Sequence, residues 1–531
     1  MMDARRRSAY LSAAPVSQQT WAVTKPQLES SGGIVATQHF EAAQIGADVL
    51  SSGGNAMDAA IAAAVALSVV EPWLSGLGGG GFLLHADAAG TIETLDFNMR
   101  APGATDPADY PLAGGNGGDW FNWPSVVSDR NLIGPMSICV PGAVCGLAKA
   151  LERHGSISWA EALAPTIELA ERGMRVDWFA ELAFAIDAHD LSQDPYARQL
   201  FVNPDSRVSN PVDATTKFLP MPRKAAMLRT LAKRGADDFY QGETAAKLIA
   251  DLRAAGSKIS PQDLADYRAD WSAPASCVYR DRTVHTIGGL SGGPSLLSTL
   301  EHLSDHELRS ATEATFAAHH ADAIRQVYEI RLKSLGHAAA AKDCTSHLSV
   351  VDKAGNMVSL TNTLLSRFGS KVVAPSLDLV MNNGTMWFDP RPGQPNSIAA
   401  GAAPLANMAP VITTLDGKPD IAIGAAGGRQ IFPAIAQLLS RIIDKNETLE
   451  TAVHAPRIDA STPTILVNRK AAPDTATTIA AKHAVQITED SLYPVQFAIP
   501  TLVRAGHHGA PNVGAVHPNN PWAAVRAENT K

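Results

Sequence analysis

A threonine at position 345 opens a stretch whose residue types admit a chemistry that an ordinary strand threonine lacks. After Cys344, the run Thr345-Ser346-His347-Leu348-Ser349-Val350-Val351-Asp352 alternates as a half-buried strand. Lys353-Ala354-Gly355-Asn356 then supplies turn residues, and Met357 to Leu364 alternates again, so the pattern predicts a β-hairpin. One reading of Thr345 is a β-branched residue placed where such side chains pack well. The other is an N-terminal nucleophile, in which the α-amine of the residue (pKa about 7.7–8.0 when free) acts as the base for its own hydroxyl. That amine exists only once the bond after Cys344 is cut.

Other candidates for chemistry give less. Ser75-Gly76-Leu77-Gly78-Gly79-Gly80-Gly81 is rich enough in glycine to cradle a phosphate, but no Lys-Ser/Thr follows and no dinucleotide fingerprint fits, so close backbone approach is the better reading. His319 and His320 are adjacent on a predicted helix and point in different directions, which disfavours a metal pair and makes surface positions the expectation. Cys139, Cys145, Cys277 and Cys344 have no metal-ligand spacing and are too few for a disulfide framework. No cofactor is expected. A net charge of −8, with no basic patch interleaved with aromatics, argues against nucleic acid as a partner.

The hairpin does not stand alone. Gly33-Ile34-Val35-Ala36-Thr37, Gly53-Gly54-Asn55-Ala56-Met57-Asp58-Ala59-Ala60, Glu71-Pro72 and Gly78-Gly79-Gly80-Gly81-Phe82 precede it, and Met408-Ala409-Pro410 and Gly424-Ala425-Ala426-Gly427-Gly428 follow. Together with Thr345 to Asn356, these blocks resemble, in order and over nearly the whole chain, the γ-glutamyltransferase (glutathione hydrolase) family, whose precursors cut themselves before a threonine. The resemblance implies an α/β protein of the N-terminal-nucleophile hydrolase type, a four-layer αββα sandwich forming one interleaved domain from two chains. Residues 31–344 would be the large subunit and 345–531 the small one, each the other's partner, after a flexible N-terminal arm over 1–30. By the same resemblance Cys344 and Thr345 flank the processed bond, Thr363 carries a second hydroxyl that holds the nucleophile, and the backbone N–H groups of Gly427 and Gly428 bind the oxyanion. Two successive glycine amides can converge on one oxygen, which suits that task.

The resemblance fails at the substrate pocket. Glutamyl-specific relatives grip the α-carboxylate with an arginine and a Ser-Ser pair, and the α-ammonium with an Asn and an Asp. In this chain those positions are Asn98, Ala406-Asn407, Leu365 and Trp387. Leucine and tryptophan form no salt bridge with an ammonium, so a small non-glutamyl amide or N-acyl compound, oxamate-like, is the expected substrate. Arg100, two residues beyond Asn98 and on the same side if the strand continues, and Arg429, beside the glycine pair, are candidates for holding an acid group, with Asn98 and Asn407 as neighbours. The alternatives are a glutathione hydrolase or transpeptidase and, in another class, an unprocessed pseudoenzyme with a binding role.

The elements that must position these residues follow from pattern. Helices are predicted from Phe40 to Leu50, from an Asn55 cap to Val70, over most of 158–255, and over Leu296 to Leu303, Ala311 to Leu335 and Ile431 to Ile443. Strands are predicted at Thr91 to Phe97, Leu377 to Asn383, Met408 to Leu415 and Ile421 to Gly424, with Asp416-Gly417 as a hairpin turn. The alanine-rich Gly336 to Ala341 suits an exposed site of cleavage. Arg5-Arg6-Arg7 leads into a stretch too polar and short for a signal h-region, and the longest apolar run, Ala59 to Val70, is too short to span a bilayer, so a cytoplasmic protein without a membrane partner is the expectation.

Overall fold

Asn55 starts the most buried helix through a reciprocal cap. Its side chain accepts the Asp58 N–H (3.1 Å) while the Asp58 carboxylate takes the Asn55 N–H (2.8 Å). The helix it opens, α2 (Ala56–Val70), is buried at every position, because an alanine-rich surface lets neighbours approach on all sides. Before it runs α1 (Phe40–Ser51), ended by a turn through Gly53 at φ 97°. The computed structural model of the chain describes residues 23–114, 124–202, 217–336, 343–491 and 495–529.

Two seven-stranded antiparallel sheets carry the architecture. In chain order their strands are β1 (Leu28–Ser30), β2 (Ile34–Thr37), β3 (Gly80–Ala86), β4 (Ile92–Phe97), β5 (Asp270–Ser272), β6 (Ala275–Tyr279) and β7 (Arg282–Thr286). They continue as β8 (Asp343–Val351), β9 (Met357–Ser366), β10 (Val411–Leu415), β11 (Lys418–Ala426), β12 (Ile499–Arg504), β13 (Asn512–Val516) and β14 (Ala524–Ala527). One sheet has the order β14-β2-β8-β9-β3-β4-β5 and the other β1-β13-β12-β11-β10-β7-β6. Each therefore mixes strands from before and after Thr345. The hairpin β8–β9 is central to the first sheet, flanked by β2 and β3.

Alternation along β8 assigns its two faces. Leu348 and Val350 join the apolar cluster that includes α2, while His347 and Ser349 face the second sheet. There Ser349 donates to the Thr501 carbonyl (3.3 Å) and Ser359 to that of Ile423 (3.1 Å), so polar bridges tie the sheets together. Gly424 makes room for the His347 ring, since a Cβ at that position would lie 2.3 Å from Cε1. Helices α1, α2 and α3 (Ala143–His154) pack on the first sheet; α4 (Gly293–Ser304) and α6 (Ile431–Ile443) pack on the second, and α5 (Glu313–Ser334) lies against them.

Four expectations are corrected. Leu377–Asn383 is not a full strand: only Leu379–Val380 pairs, with Val373–Ala374, because Asn382 and Asn383 spend their side chains on neighbouring backbone instead. His320 is fully buried rather than on the surface, with Nδ1 at 2.9 Å from the Phe316 carbonyl and Nε2 at 3.1 Å from Ser440 Oγ. Strand β4 stops at Phe97, so Asn98 and Arg100 share no strand face; Arg100 makes only an isolated bridge to Val140. Within the expected arm, Leu28–Ser30 is part of a sheet, paired with β13, and the rest of the arm to residue 22 lies outside the described residues. The expected cleavage segment lies outside them too, apart from Gly336. No described helix is long and apolar enough to cross a membrane.

Candidate active site

A ladder defect brings the two threonines together. Ser346 pairs with Asn362 but Cys344 with Leu365, so β9 gains one residue over β8 at this point. The extra residue turns the Thr363 side chain toward Thr345, whose hydroxyl donates to Thr363 Oγ1 at 3.2 Å. Thr363 Oγ1 also accepts the Leu365 N–H at 2.9 Å and so helps hold Leu365 at φ 82°, a left-handed conformation that costs a leucine about 1–3 kcal/mol. Backbone seals the pair from behind: a Cβ on Gly79 would stand 2.0 Å from the Thr363 carbonyl oxygen, so only glycine allows this approach. Thr345 is 1 % exposed in the continuous chain. A substrate reaches its hydroxyl only after the chain around it moves.

The glycine pair lies at the end of β11, where the chain turns into α6. Gly427 (φ 140°) and Gly428 (φ 54°) both occupy the region that favours glycine, and the 3-10 turn Gly428–Gln430 packs against β8. The glycine pair is thus brought beside the strand that carries Thr345. Arg429 follows, 8 % exposed, its carbonyl accepting from Tyr328 at 2.5 Å.

The predicted substrate residues are differently engaged. Asn98 is buried and donates to the Pro404 carbonyl (3.1 Å), while its own carbonyl accepts from Tyr267 (2.7 Å). Asn407 is buried, and its Oδ1 accepts from Arg331 at 3.3 Å. The Arg100 charge acts on Asp96 and Tyr267 at the β4 edge. Leu365, Trp387 and Ala406 all lie in a single apolar cluster, each at most 1 % exposed.

Sequence reasoning missed several residues here. Arg331 donates to the carbonyls of Ser291 and Ala406 (both 2.8 Å) and to Ser295 Oγ (3.2 Å), bracing the wall that carries Ala406-Asn407. Burial, together with the neighbouring Arg429 charge, lowers its pKa to about 10. Its signal was its register: Phe316, His320, Ile324, Val327 and Arg331 fall on one face of α5, all buried. His347, two residues after Thr345, contacts Thr361 Oγ1 (2.8 Å) and Ser349 Oγ (3.0 Å) rather than the nucleophile, and burial lowers its pKa to about 3. It is a neutral structural ring. Asn382 joins four backbone groups, donating to Gly78 and Cys139 carbonyls (2.8 Å each) and accepting from the N–H of Cys139 (3.0 Å) and Gly384 (2.9 Å).

A buried hydroxyl pair, paired glycines and a glycine-lined strand end make a site for nucleophilic attack on a carbonyl. The family description Gamma-glutamyltranspeptidase matches residues 42–344 and 336–503. The chain belongs to the gamma-glutamyltranspeptidase family. Like that family's members it is an enzyme, a hydrolase of amide carbon–nitrogen bonds. Among its relatives, the glutathione hydrolase proenzyme of Pseudomonas sp. (strain A14) is 29 % identical over 489 residues, covering 82 % of this chain and 83 % of that one. The acylase ACY 1 proenzyme of Pseudomonas sp. (strain SE83) is 31 % identical over 474 residues, with the same coverage. In fold, the chain is similar to the cephalosporin acylase from Bacillus halodurans, with a TM-score of 0.85 over 98 % of this chain and 100 % of that one at 23 % identity. Membership in the gamma-glutamyltranspeptidase family leaves the acyl group open, since hydrolases and acylases of this group are about equally similar to it.

Proposed function

We propose that this protein is a self-processing N-terminal-threonine acylase that hydrolyses an amide or N-acyl compound lacking an α-ammonium. The observation that carries the specificity is that Leu365, Trp387 and Ala406, at the positions of polar anchors in glutamyl-specific relatives, are buried members of the apolar core. An ammonium buried against it would lose its hydration and gain no carboxylate, at a cost of several kcal/mol. A small acidic acyl group, oxamate-like, fits better: Arg331 and Arg429 supply positive charge on the side of Ala406-Asn407 and the glycine pair. In this reading the two subunits are 31–344 and 345–531, packed as a four-layer αββα sandwich.

In this reading one threonine serves both processing and turnover. In the uncut chain the Thr345 hydroxyl, held by Thr363, attacks the Cys344 carbonyl carbon; the carbon–nitrogen bond breaks, its nitrogen taking the hydroxyl proton to become the free Thr345 amine, and water hydrolyses the resulting ester to a Cys344 carboxylate and the Thr345 hydroxyl. In turnover that amine takes the hydroxyl proton as Oγ1 attacks the substrate carbonyl, then passes it to the leaving amine. The Gly427 and Gly428 amides hold the oxyanion. Water then releases the acid.

The test is steady-state kinetics of the processed protein on a γ-glutamyl anilide, oxamate and a panel of N-acyl compounds. Higher catalytic efficiency on a compound without an α-ammonium is expected. Efficient glutamyl release above all others overturns the specificity, and an uncut, inactive chain overturns the enzyme mechanism.

A further inference from the structure

Behind the nucleophile, on the opposite face of β8, lies a carboxyl group that the mechanism leaves unused. Glu71 closes the C-terminal end of α2 and is 0 % exposed. Its Oε2 receives the Ser346 hydroxyl at a long 3.4 Å, and its Oε1 has no hydrogen-bond partner. Two more buried oxygens nearby are equally unpartnered, Asn362 Oδ1 and Ser75 Oγ. The register places Asn362 directly across from Ser346, and Asn362 Nδ2 donates to the Gly76 carbonyl (3.4 Å), beside Ser75. Glu71, Ser346 and Asn362 thus make a buried polar cluster one residue from Thr345, with Ser75 next in sequence to the Gly76 that Asn362 bonds.

The described residues that contact this cluster through hydrogen bonds or register are uncharged. Strand β8 offers Ser346, β9 offers Asn362 and the 72–79 segment offers Ser75. At the end of α2, the Lys224 ammonium is taken by the Ser68 carbonyl (2.6 Å), with Asp378 as the carboxylate that acts on it. No lysine, arginine or histidine pairs with Glu71 among the described residues. An ionised carboxylate here would have four lone-pair sites and one weak donor. A protonated one gains a donor, and the unpartnered Asn362 Oδ1 is an acceptor on the strand opposite Ser346.

We propose that Glu71 is a positioning residue of the nucleophile strand, acting as a neutral acid that accepts from Ser346 and donates within the polar cluster around Asn362. Ser346 and Asn362 are the last regular pair of the ladder before the defect that joins Thr345 to Thr363. Fixing that pair fixes the angle at which the defect begins. Burial raises the Glu71 pKa well above its ordinary value, in agreement with this arrangement.

This inference rests on Thr345 being the nucleophile. Its test compares full-length Glu71→Gln and Glu71→Ala with the parent chain, reading the cut fraction on a denaturing gel, kcat against pH, and the thermal midpoint against pH. Glutamine keeps the shape, the acceptor and the donor. It should be cut as the parent is, keep kcat within about twofold at pH 7, and lose the parent's decline at alkaline pH. Its thermal midpoint should gain on the parent's as pH rises above the ordinary glutamate value, because only the parent then has a proton to lose. The alanine variant should be cut slowly, with kcat lower by about tenfold or more. A glutamine variant as impaired as alanine would show that the ionised form is needed, and an alanine variant that works like the parent would remove any positioning role. If alanine does not fold, an alkaline limb identical in parent and glutamine variant overturns the proposal. If the parent itself neither cuts nor hydrolyses, the acylase reading fails, while the thermal comparison still decides whether Glu71 is neutral.

Discussion

With Thr345 as the nucleophile, the hydroxyl of Thr363 that receives its hydrogen bond selects among the few χ1 wells open to a β-branched strand residue. Removing the nucleophile should be absolute: Thr345→Ala is expected to give a single uncut chain without hydrolase activity, and intact mass shows this directly. Two fragments meeting at the Cys344–Thr345 bond would disprove self-cleavage by Thr345. Removing the holder should be graded. Thr363→Ala loses both the bond from Thr345 and the acceptor of the Leu365 N–H, so kcat should fall by about tenfold with little change in KM, and Thr363→Ser should restore most of it. An unchanged kcat in the alanine variant would take Thr363 out of the site.

Elements enter through the connections that press on β9 from behind. Asn382 ties the Gly78 carbonyl, both backbone groups of Cys139 and the Gly384 N–H into a single hub, so three segments far apart in sequence meet at one side chain. Asn382→Ala leaves those buried groups unpaired and should cost about 3 kcal/mol in urea unfolding. A loss under about 1 kcal/mol would mean the segments hold their places without it. Gly79→Ala acts on the same junction in another way. Its methyl meets the Thr363 carbonyl oxygen, so it should displace β9 and depress turnover even in folded protein, as kinetics beside circular dichroism can show.

At the scale of the whole molecule, buried imidazoles give stability a dependence on acid pH. His39 and His347 are pushed down to about 3 and His320 to about 4, with burial the first cause in each case. These rings are neutral in the folded protein, whereas the unfolded chain takes up protons near pH 6.5. Stability contributed by the neutral rings is therefore full above about pH 6.5 and declines as pH falls toward 4 and then 3. Thermal midpoints across that range should show the decline, and His320→Gln should flatten it; an unchanged slope would mean that His320 is charged when folded. Interleaving also bears on processing. Strand β2 is flanked by β8 and β14, and β3 pairs with β9, in one sheet, while β1 pairs with β13 and β7 with β10 in the other, so each sheet is stitched from both sides of Thr345. The cut pieces should stay together through purification without a covalent link.

What the sequence determined by itself is what depends on local order. Alternation and turn residues marked the β8–β9 hairpin, a cap residue marked the start of α2, and the order of short blocks marked the family, because these are properties of neighbouring residues. Tertiary structure decided what depends on partners brought from afar. The ladder defect that joins Thr345 to Thr363 lies where the glycine loop before β3 packs against the Thr363 carbonyl, a long-range contact that no period within the hairpin announces. His320 reads as a surface residue until α5 is seen packed against α4 and α6. Glu71 reads as the polar end of an apolar helix until β8 closes over it, and burial without a counter-charge is then what makes it an acid rather than an ion.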